Sequence, residues 1–285
     1  MNRRGIALLA TLWLLAALSV VAAGALTLAR VERGTAINRV ALARGRWAAE
    51  GCLALMQAQL VRDSVPRGVD STDLGDGLWC RASIEDLGAR LGVDIANAEA
   101  LTRVVGDSDR AAALLDWIDA DDAPRANGAE AEWYRDNGQQ TPRNGPLVHI
   151  EELYLIRGFD SVTVARLSPL LSTRGPHRLN VNVAPRELLL TLPGLDLGAV
   201  EVIIEHRERA GPFRDLDGLL ATLPASLRTP AMARYAELQA STSYAPERVL
   251  VHLEGHVPEA SVVARTTIEG IPVPGRLAIL AREEW

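Results

Sequence analysis

Lysine is missing from this chain. All 30 basic residues are arginine, a bias that reads as genomic base composition rather than function. Aromatic residues are scarce at 4%, with tryptophan over-used among them. No Gly-x-Ser-x-Gly, no His-Glu-x-x-His and no phosphate-binding loop is present, so the common hydrolase and nucleotide-binding chemistries lack their residues. The histidines are His149, His177, His206, His252 and His256, and only the last two are neighbours, with Gly255 marking a strand end or turn between them. The expectation is a chain without catalytic residues. A net charge of −6 leaves no basic footprint for nucleic acid. Cys52 and Cys80 are the whole cysteine complement. In an oxidising compartment they form either a disulfide or two buried thiols, and spacing does not choose.

What is present begins with an apolar run. Residues 6–29 contain no charge. A helix over them would be about 36 Å long, enough to cross the hydrocarbon core of a bilayer with some tilt. Apolar residues continue at three- and four-residue spacing through Ile37, Val40, Trp47, Cys52 and Met56, predicting one helix to about residue 62. Residues 30–62 would be its part outside the membrane. Arg3 and Arg4 precede the span and favour a cytoplasmic amino terminus. A cleaved secretory signal is the rival reading, with small residues at 21–25, but the apolar run exceeds the core of such signals.

Beyond the helix, Pro66, Gly68, Gly75 and Gly77 predict a loop. Leu78, Cys80, Ala82 and Ile84 alternate as in a strand. A mostly helical stretch then runs over residues 85–239, with Asp107-Ser108 and Asp160-Ser161 as helix caps and Pro185 opening a helix after the alternating segment 179–183. Three strands are expected at 249–253, 261–268 and 277–281, with Gly255, Pro258, Gly270, Pro272, Pro274 and Gly275 in turns between them. The fold class that follows is α+β. A long N-terminal helix packs on a small antiparallel sheet from 63–84 and 240–285, and a helical domain at 85–239 interrupts that sheet.

Two motifs stand out in the helical block. Glu152–Asp160 loosely repeats as Glu187–Asp196: an apolar helix, a glycine, then a second helix, which resembles a helix-hairpin-helix. In nucleic-acid-binding versions the hairpin is Gly-x-Gly, but here Asp196 replaces the second glycine and Glu201 and Glu205 follow. A role in packing the fold is therefore expected over DNA binding. The second motif is acidic: Asp116-Trp117-Ile118-Asp119-Ala120-Asp121-Asp122, followed by Gly128-Ala129-Glu130 and Tyr134. Carboxylates this close repel unless solvated or bridged, and a hard cation such as Ca²⁺ suits them. Asp119, Asp121 and Glu130 fall at positions one, three and twelve of an EF-hand frame, but Pro124 occupies the position that needs glycine, so this is no EF-hand. Asp122 is a further candidate ligand, and Asn127, Asp136 and Asn137 carry additional oxygens.

A short basic leader ending in Gly5 and followed by Ile6 resembles a type IV prepilin leader. Most members of that family carry glutamate at the fifth mature position, where this chain has Ala10. That departure, the acidic motif, Asn144-Gly145-Pro146-Leu147, and Leu179-Asn180-Val181-Asn182-Val183-Ala184-Pro185 resemble the K-type minor pseudopilin of the type II secretion system, over nearly the whole chain. The resemblance implies a leader at 1–5, cleavage between Gly5 and Ile6, methylation of the new amino terminus, and a helical domain with helix-hairpin-helix and SAM-like elements. It implies Ca²⁺ held by Asp119, Asp121, Asp122 and Glu130. It implies a single-pass inner-membrane protein with a periplasmic head that forms or starts the tip of a short filament. The implied partners are the I-type and J-type minor pseudopilins, the major pseudopilin, the inner-membrane secretion platform and the prepilin peptidase, with no nucleic acid. Two alternatives remain: a membrane-anchored periplasmic DNA-binding or uptake protein, and the tip protein of a type IV pilus.

Overall fold

The structure is a computed structural model that describes residues 3–62, 66–258 and 262–284. Helix α1 (Arg3–Leu60) is a single rod of 58 residues, about 87 Å at the usual rise. Its sequence is rich in alanine and leucine and free of proline, so nothing interrupts it. Residues 11–40 are exposed to the surroundings along the whole of this stretch. The hydroxyls of Ser19, Thr27 and Thr35 donate to carbonyls four residues back, so these three polar groups are satisfied within the rod.

The strands β1 (Val69–Gly75) and β2 (Leu78–Asp86) follow. After them come two-residue strands, β3 (Leu91–Gly92) with β4 (Leu171–Ser172), and β5 (Leu179–Asn180) with β6 (Thr242–Ser243), each pair parallel. The chain ends in β7 (Val249–Val257), β8 (Val262–Val273) and β9 (Arg276–Glu284). The main sheet runs β1-β2-β7-β8-β9, antiparallel throughout. Strand β7 buries Val249, Val251, Leu253, Gly255 and Val257 in strict alternation. The far half of α1 covers that face with Ala41, Gly45, Ala48, Ala49, Cys52, Met56 and Leu60. Cys52 and Cys80 are bonded to each other inside this core. Helix and sheet meet backbone to backbone at two glycines, where a Cβ on Gly255 would come within 1.8 Å of the Gly45 carbonyl oxygen.

Three expectations need correction. The loop expected at 66–77 contains β1, which pairs with β2 although Val-Asp-Ser-Thr-Asp-Leu-Gly shows no apolar alternation; it is an edge strand with one buried residue, Val69. The C-terminal strands are longer than expected, because Gly255, Gly270 and Pro272 lie inside strands rather than in turns. Gly255 is there to admit the Gly45 backbone, and Gly270 to admit Leu277, whose Cγ would be 2.7 Å from a Cβ at that position. The segment 179–183 forms only the two residues of β5, and Pro185 caps the next helix from outside it.

Between β2 and β7 lies the helical block: α2 (Ala98–Val105), α3 (Ser108–Ile118), α4 (Ala131–Asp136), α5 (Ser161–Leu167), α6 (Arg186–Leu189), α7 (Leu197–Arg209), α8 (Leu216–Thr222), α9 (Ala225–Ala233) and α10 (Tyr235–Ser241). It has its own core, including Leu101, Leu114, Trp117, Tyr134, Leu153, Leu167, Leu188 and Ile203. Asp107 caps α3 and Asp160 caps α5, as their sequence positions predict.

Polar bonds fix the block to the sheet. Asn180 donates to Asp86 at 2.6 Å, and Leu87 N donates to Arg248 O at 2.9 Å. Asn182 donates to the carbonyls of Phe213 and Tyr244 and accepts from Phe213 N. The Asn-x-Asn motif is thus a joint. Burial pushes the Asp86 carboxyl above its ordinary range even though Gly88 N and Asn180 donate to it. Farther out, Arg174 bridges to Glu269 and Glu283 of the sheet.

Candidate functional site

The acidic motif begins on the last turn of α3. Asp116 lies on the buried side of that helix with no exposed surface, and Asp119 is its C-terminal cap. The chain then turns through Asp121-Asp122-Ala123-Pro124 and returns along Arg125–Glu130 to start α4. Asn127 has φ of 62° in this return, and Gly128 lies so close to Asp116 that a Cβ would be 1.9 Å from Oδ2. The loop is supported from behind. Arg157 Nη1 donates to Gly128 O at 2.9 Å, Arg157 N donates to Tyr134 Oη at 3.0 Å, and the guanidinium lies 4.9 Å from the Trp133 ring centre. Trp117 packs edge-on against Tyr134.

This geometry gathers one carboxylate oxygen from each of Asp116, Asp119 and Glu130 within 4.8 Å of one another. Glu130 is 4% exposed, and neither of its oxygens has a hydrogen-bond partner. Asp119 Oδ1 and Asn144 Oδ1 are also buried without partners. Burial first, then the fields of Asp116 and Asp119, push the Glu130 carboxyl up to about 7. The counter-charge in this cluster is Arg125. Its Nη1 donates to Asp116 Oδ1 at 2.7 Å and also to Asp119 Oδ2, and its backbone N donates to Asp116. Both bonds hold the Arg125 guanidinium above its ordinary pKa.

Of the four residues expected to hold a cation, Asp119 and Glu130 meet. Asp121 and Asp122 do not join them: Asp121 Oδ1 accepts from Ala123 N, and Asp122 Oδ1 accepts from Asn144 at 2.8 Å. Asn127 and Asn137 turn away, toward Asp109 and the Trp133 carbonyl. The sequence reading missed Asp116 and Arg125. Asp116 falls four residues after Ala112 on the buried stripe of α3, and Arg125 is the lone cation between Arg110 and Arg135. Those were the available signals. The residues fit a hard cation: unpartnered, buried carboxylate oxygens are costly unless something positive meets them. Asp116, Asp119 and Glu130 would hold it, and the ion would supply charge neutralisation that joins the end of α3 to the start of α4.

The second motif is placed differently. The Gly194 hairpin, at φ of 75°, faces inward, where a Cβ would come within 2.7 Å of the Pro230 carbonyl on α9. Asp196 caps α7 by accepting from Ala199 N. The earlier copy turns at Gly158, whose carbonyl accepts from Arg110. The Gly194 hairpin thus packs against α9, and the Gly158 turn against Arg110 of α3.

Among known proteins, the family model described as "Type II secretion system (T2SS), protein K" matches residues 81–175, and a second model of the same description matches residues 179–237. A Type II secretion system protein K from Klebsiella pneumoniae is 30% identical over 309 aligned positions, covering 92% of this chain and 89% of its own.

The chain belongs to the type II secretion system protein K family.

Another protein K, from Pectobacterium carotovorum subsp. carotovorum, is 28% identical over 52% of each chain. A chain in the crystal structure of the GspK-GspI-GspJ complex from enterotoxigenic Escherichia coli superposes with a TM-score of 0.67 at 16% identity. It covers 89% of this chain and 99% of that one, a likeness of fold. The acidic motif lies in the first matched segment of the protein K family, and the Asn-x-Asn joint and the inward hairpin lie in the second. Membership gives the chain a minor pseudopilin role in type II secretion, and α1 is its candidate membrane anchor by length and composition.

Proposed function

We propose that this chain sits at the tip of the secretion filament, joined through α1 to I-type and J-type partners, and that it starts or limits assembly without catalysing a reaction. The observation that carries this is the one-sided burial of α1. The sheet takes Ala41, Gly45, Ala48, Cys52 and Met56 and leaves Val40, Ala43, Trp47, Ala54 and Ala58 exposed along the opposite side. That stripe continues the uncovered membrane segment without a break, so neighbouring helices could pack along it both in lipid and outside it. The helical block, mounted beside the sheet with its own core, widens the head beyond a helix-plus-sheet subunit, and a wide head suits an end position better than an interior one.

The relatives support this reading. One solved neighbour is named as a complex of GspK with GspI and GspJ. The leader cleavage between Gly5 and Ile6, the methylation and the periplasmic placement of the head belong to the same proposal, supported by the leader sequence and by Arg3 and Arg4. Bound Ca²⁺ also belongs to it, supported by the unpartnered Glu130 and Asp119 oxygens. The test is thermal melting of the full chain in detergent. Ca²⁺ should raise Tm, and Asp119→Ala with Glu130→Ala should abolish the rise; no rise in the unmodified protein removes the ion from the proposal.

A further inference from the structure

The carboxylates at the end of α3 already hold a cation from the chain itself. Arg125 Nη1 lies between Asp116 and Asp119, two of the three groups a metal ion would bridge. It leaves Glu130 without a hydrogen-bond partner among the described residues. One positive charge therefore faces three carboxylates, and the third is unserved. The Arg125 side chain is 42% exposed, whereas Asp116 is 0% exposed, so the guanidinium enters from the solvent side over a fixed base.

We infer that Arg125 is a tethered counter-ion that competes with the metal: its guanidinium closes the site when the ion is away and leaves Asp119 when the ion enters. The inference rests on the cation-binding reading of this site. The competition follows from charge and space. A Ca²⁺ ion coordinates oxygens at 2.3–2.6 Å, so an ion shared by these carboxylates would take up the oxygen faces that Arg125 Nη1 now occupies. A guanidinium on the same oxygens would also meet it as a like charge at short range. The backbone gives the side chain a place from which to move. Arg125 N donates to both oxygens of Asp116, so the loop stays attached while the guanidinium swings out. Arginine suits the closed state because its guanidinium is charged at every working pH and is weakly hydrated, so Nη1 can rest between both carboxylates at little cost.

The competition also gives the site a purpose in assembly. With the ion absent, the end of α3 and the loop before α4 are held by one monovalent group. With it bound, Glu130 at the start of α4 is drawn into the same knot. Metal binding then stiffens the head, and the arginine sets the concentration at which this happens.

The test is calorimetric titration of chelator-stripped full chain in detergent with CaCl₂, for the unmodified protein, Arg125→Gln and Arg125→Lys. Removing the competitor should tighten Ca²⁺ binding by about tenfold in Arg125→Gln, within the usual range for coupled sites, while the chelated variant melts lower than the parent. Arg125→Lys keeps the charge on a shorter, more strongly hydrated head that holds the two carboxylates less well, and its affinity should fall between the two. If Arg125→Gln does not fold, Arg125→Lys decides on the same criterion. Binding that is equal or weaker in the variants, with the parent still binding, overturns the competition and leaves the metal site standing. No binding in any of the three proteins overturns the metal site as well.

Discussion

Gly128 lies against the Asp116 carboxylate so closely that any side chain at 128 would overlap it: the nearest oxygen would be 1.9 Å from a Cβ. Asp116 is itself fully buried and cannot move aside without giving up its bonds from Arg125. Gly128→Ala should therefore cost about 2–3 kcal/mol, as overpacking and the loss of a buried charge pair do. Gly145→Ala is the control, since the nearest atom to a Cβ there is 4.0 Å away. Chemical denaturation of both variants checks the difference.

The contact of Gly45 with Gly255 makes a similar prediction for the rod and the sheet. A methyl at 255 would meet the Gly45 carbonyl oxygen at 1.8 Å and Ala49 N at 2.7 Å, both backbone atoms that cannot rotate away. Gly255→Ala should push α1 off β7, cost about 3 kcal/mol or more, and lower Tm. Gly275→Ser makes no such clash and should lower Tm less, its effect limited to a strained turn at φ of 78°.

The Cys52–Cys80 bond closes a loop of 28 residues between rod and sheet. Replacing both cysteines with serine should cost about 3.6 kcal/mol by the loop-entropy estimate. Melting with and without reductant checks it. The parent should lose stability on reduction, and the double variant should not respond.

Glu130 gives a pH dependence. Its carboxyl titrates at about 7 in the fold against an ordinary 4.5, chiefly through burial. A carboxyl raised by folding binds its proton more tightly in the native state, so its penalty is absent at low pH and grows as pH rises through that window. Chelator-treated protein should therefore lose stability between about pH 5 and pH 8. Glu130→Gln should flatten this part of the profile, measured as Tm against pH.

Much of the fold could be read from residue pattern, because one period dominates each part. The unbroken apolar run gives α1, and alternation at Leu78–Ile84 and Val249–Leu253 gives the central strands. Where the pattern failed, a tertiary contact was the reason. Strand β1 has no apolar face to announce it and exists through pairing with β2. Gly255 and Gly270 look like turn residues until the Gly45 backbone and the Leu277 side chain are set beside them. At the acidic motif the sequence singled out Asp119 and Glu130, whose oxygens the fold brings together. It could not show that Asp121 and Asp122 are spent on the loop's own bonds, or that Asp116, inside a helix, turns toward the same point. Spacing along the chain does not report direction in space.

In the proposed role the uncovered face of α1 joins this chain to I-type and J-type pseudopilins. The direct measurement is affinity purification of tagged full chain, co-expressed with both, followed by mass analysis of the eluted complex. The account predicts one complex containing all three proteins, weakened by Trp47→Glu in the middle of the exposed stripe, with the variant still folded. Recovery of this chain alone, or a complex indifferent to Trp47→Glu, would contradict it.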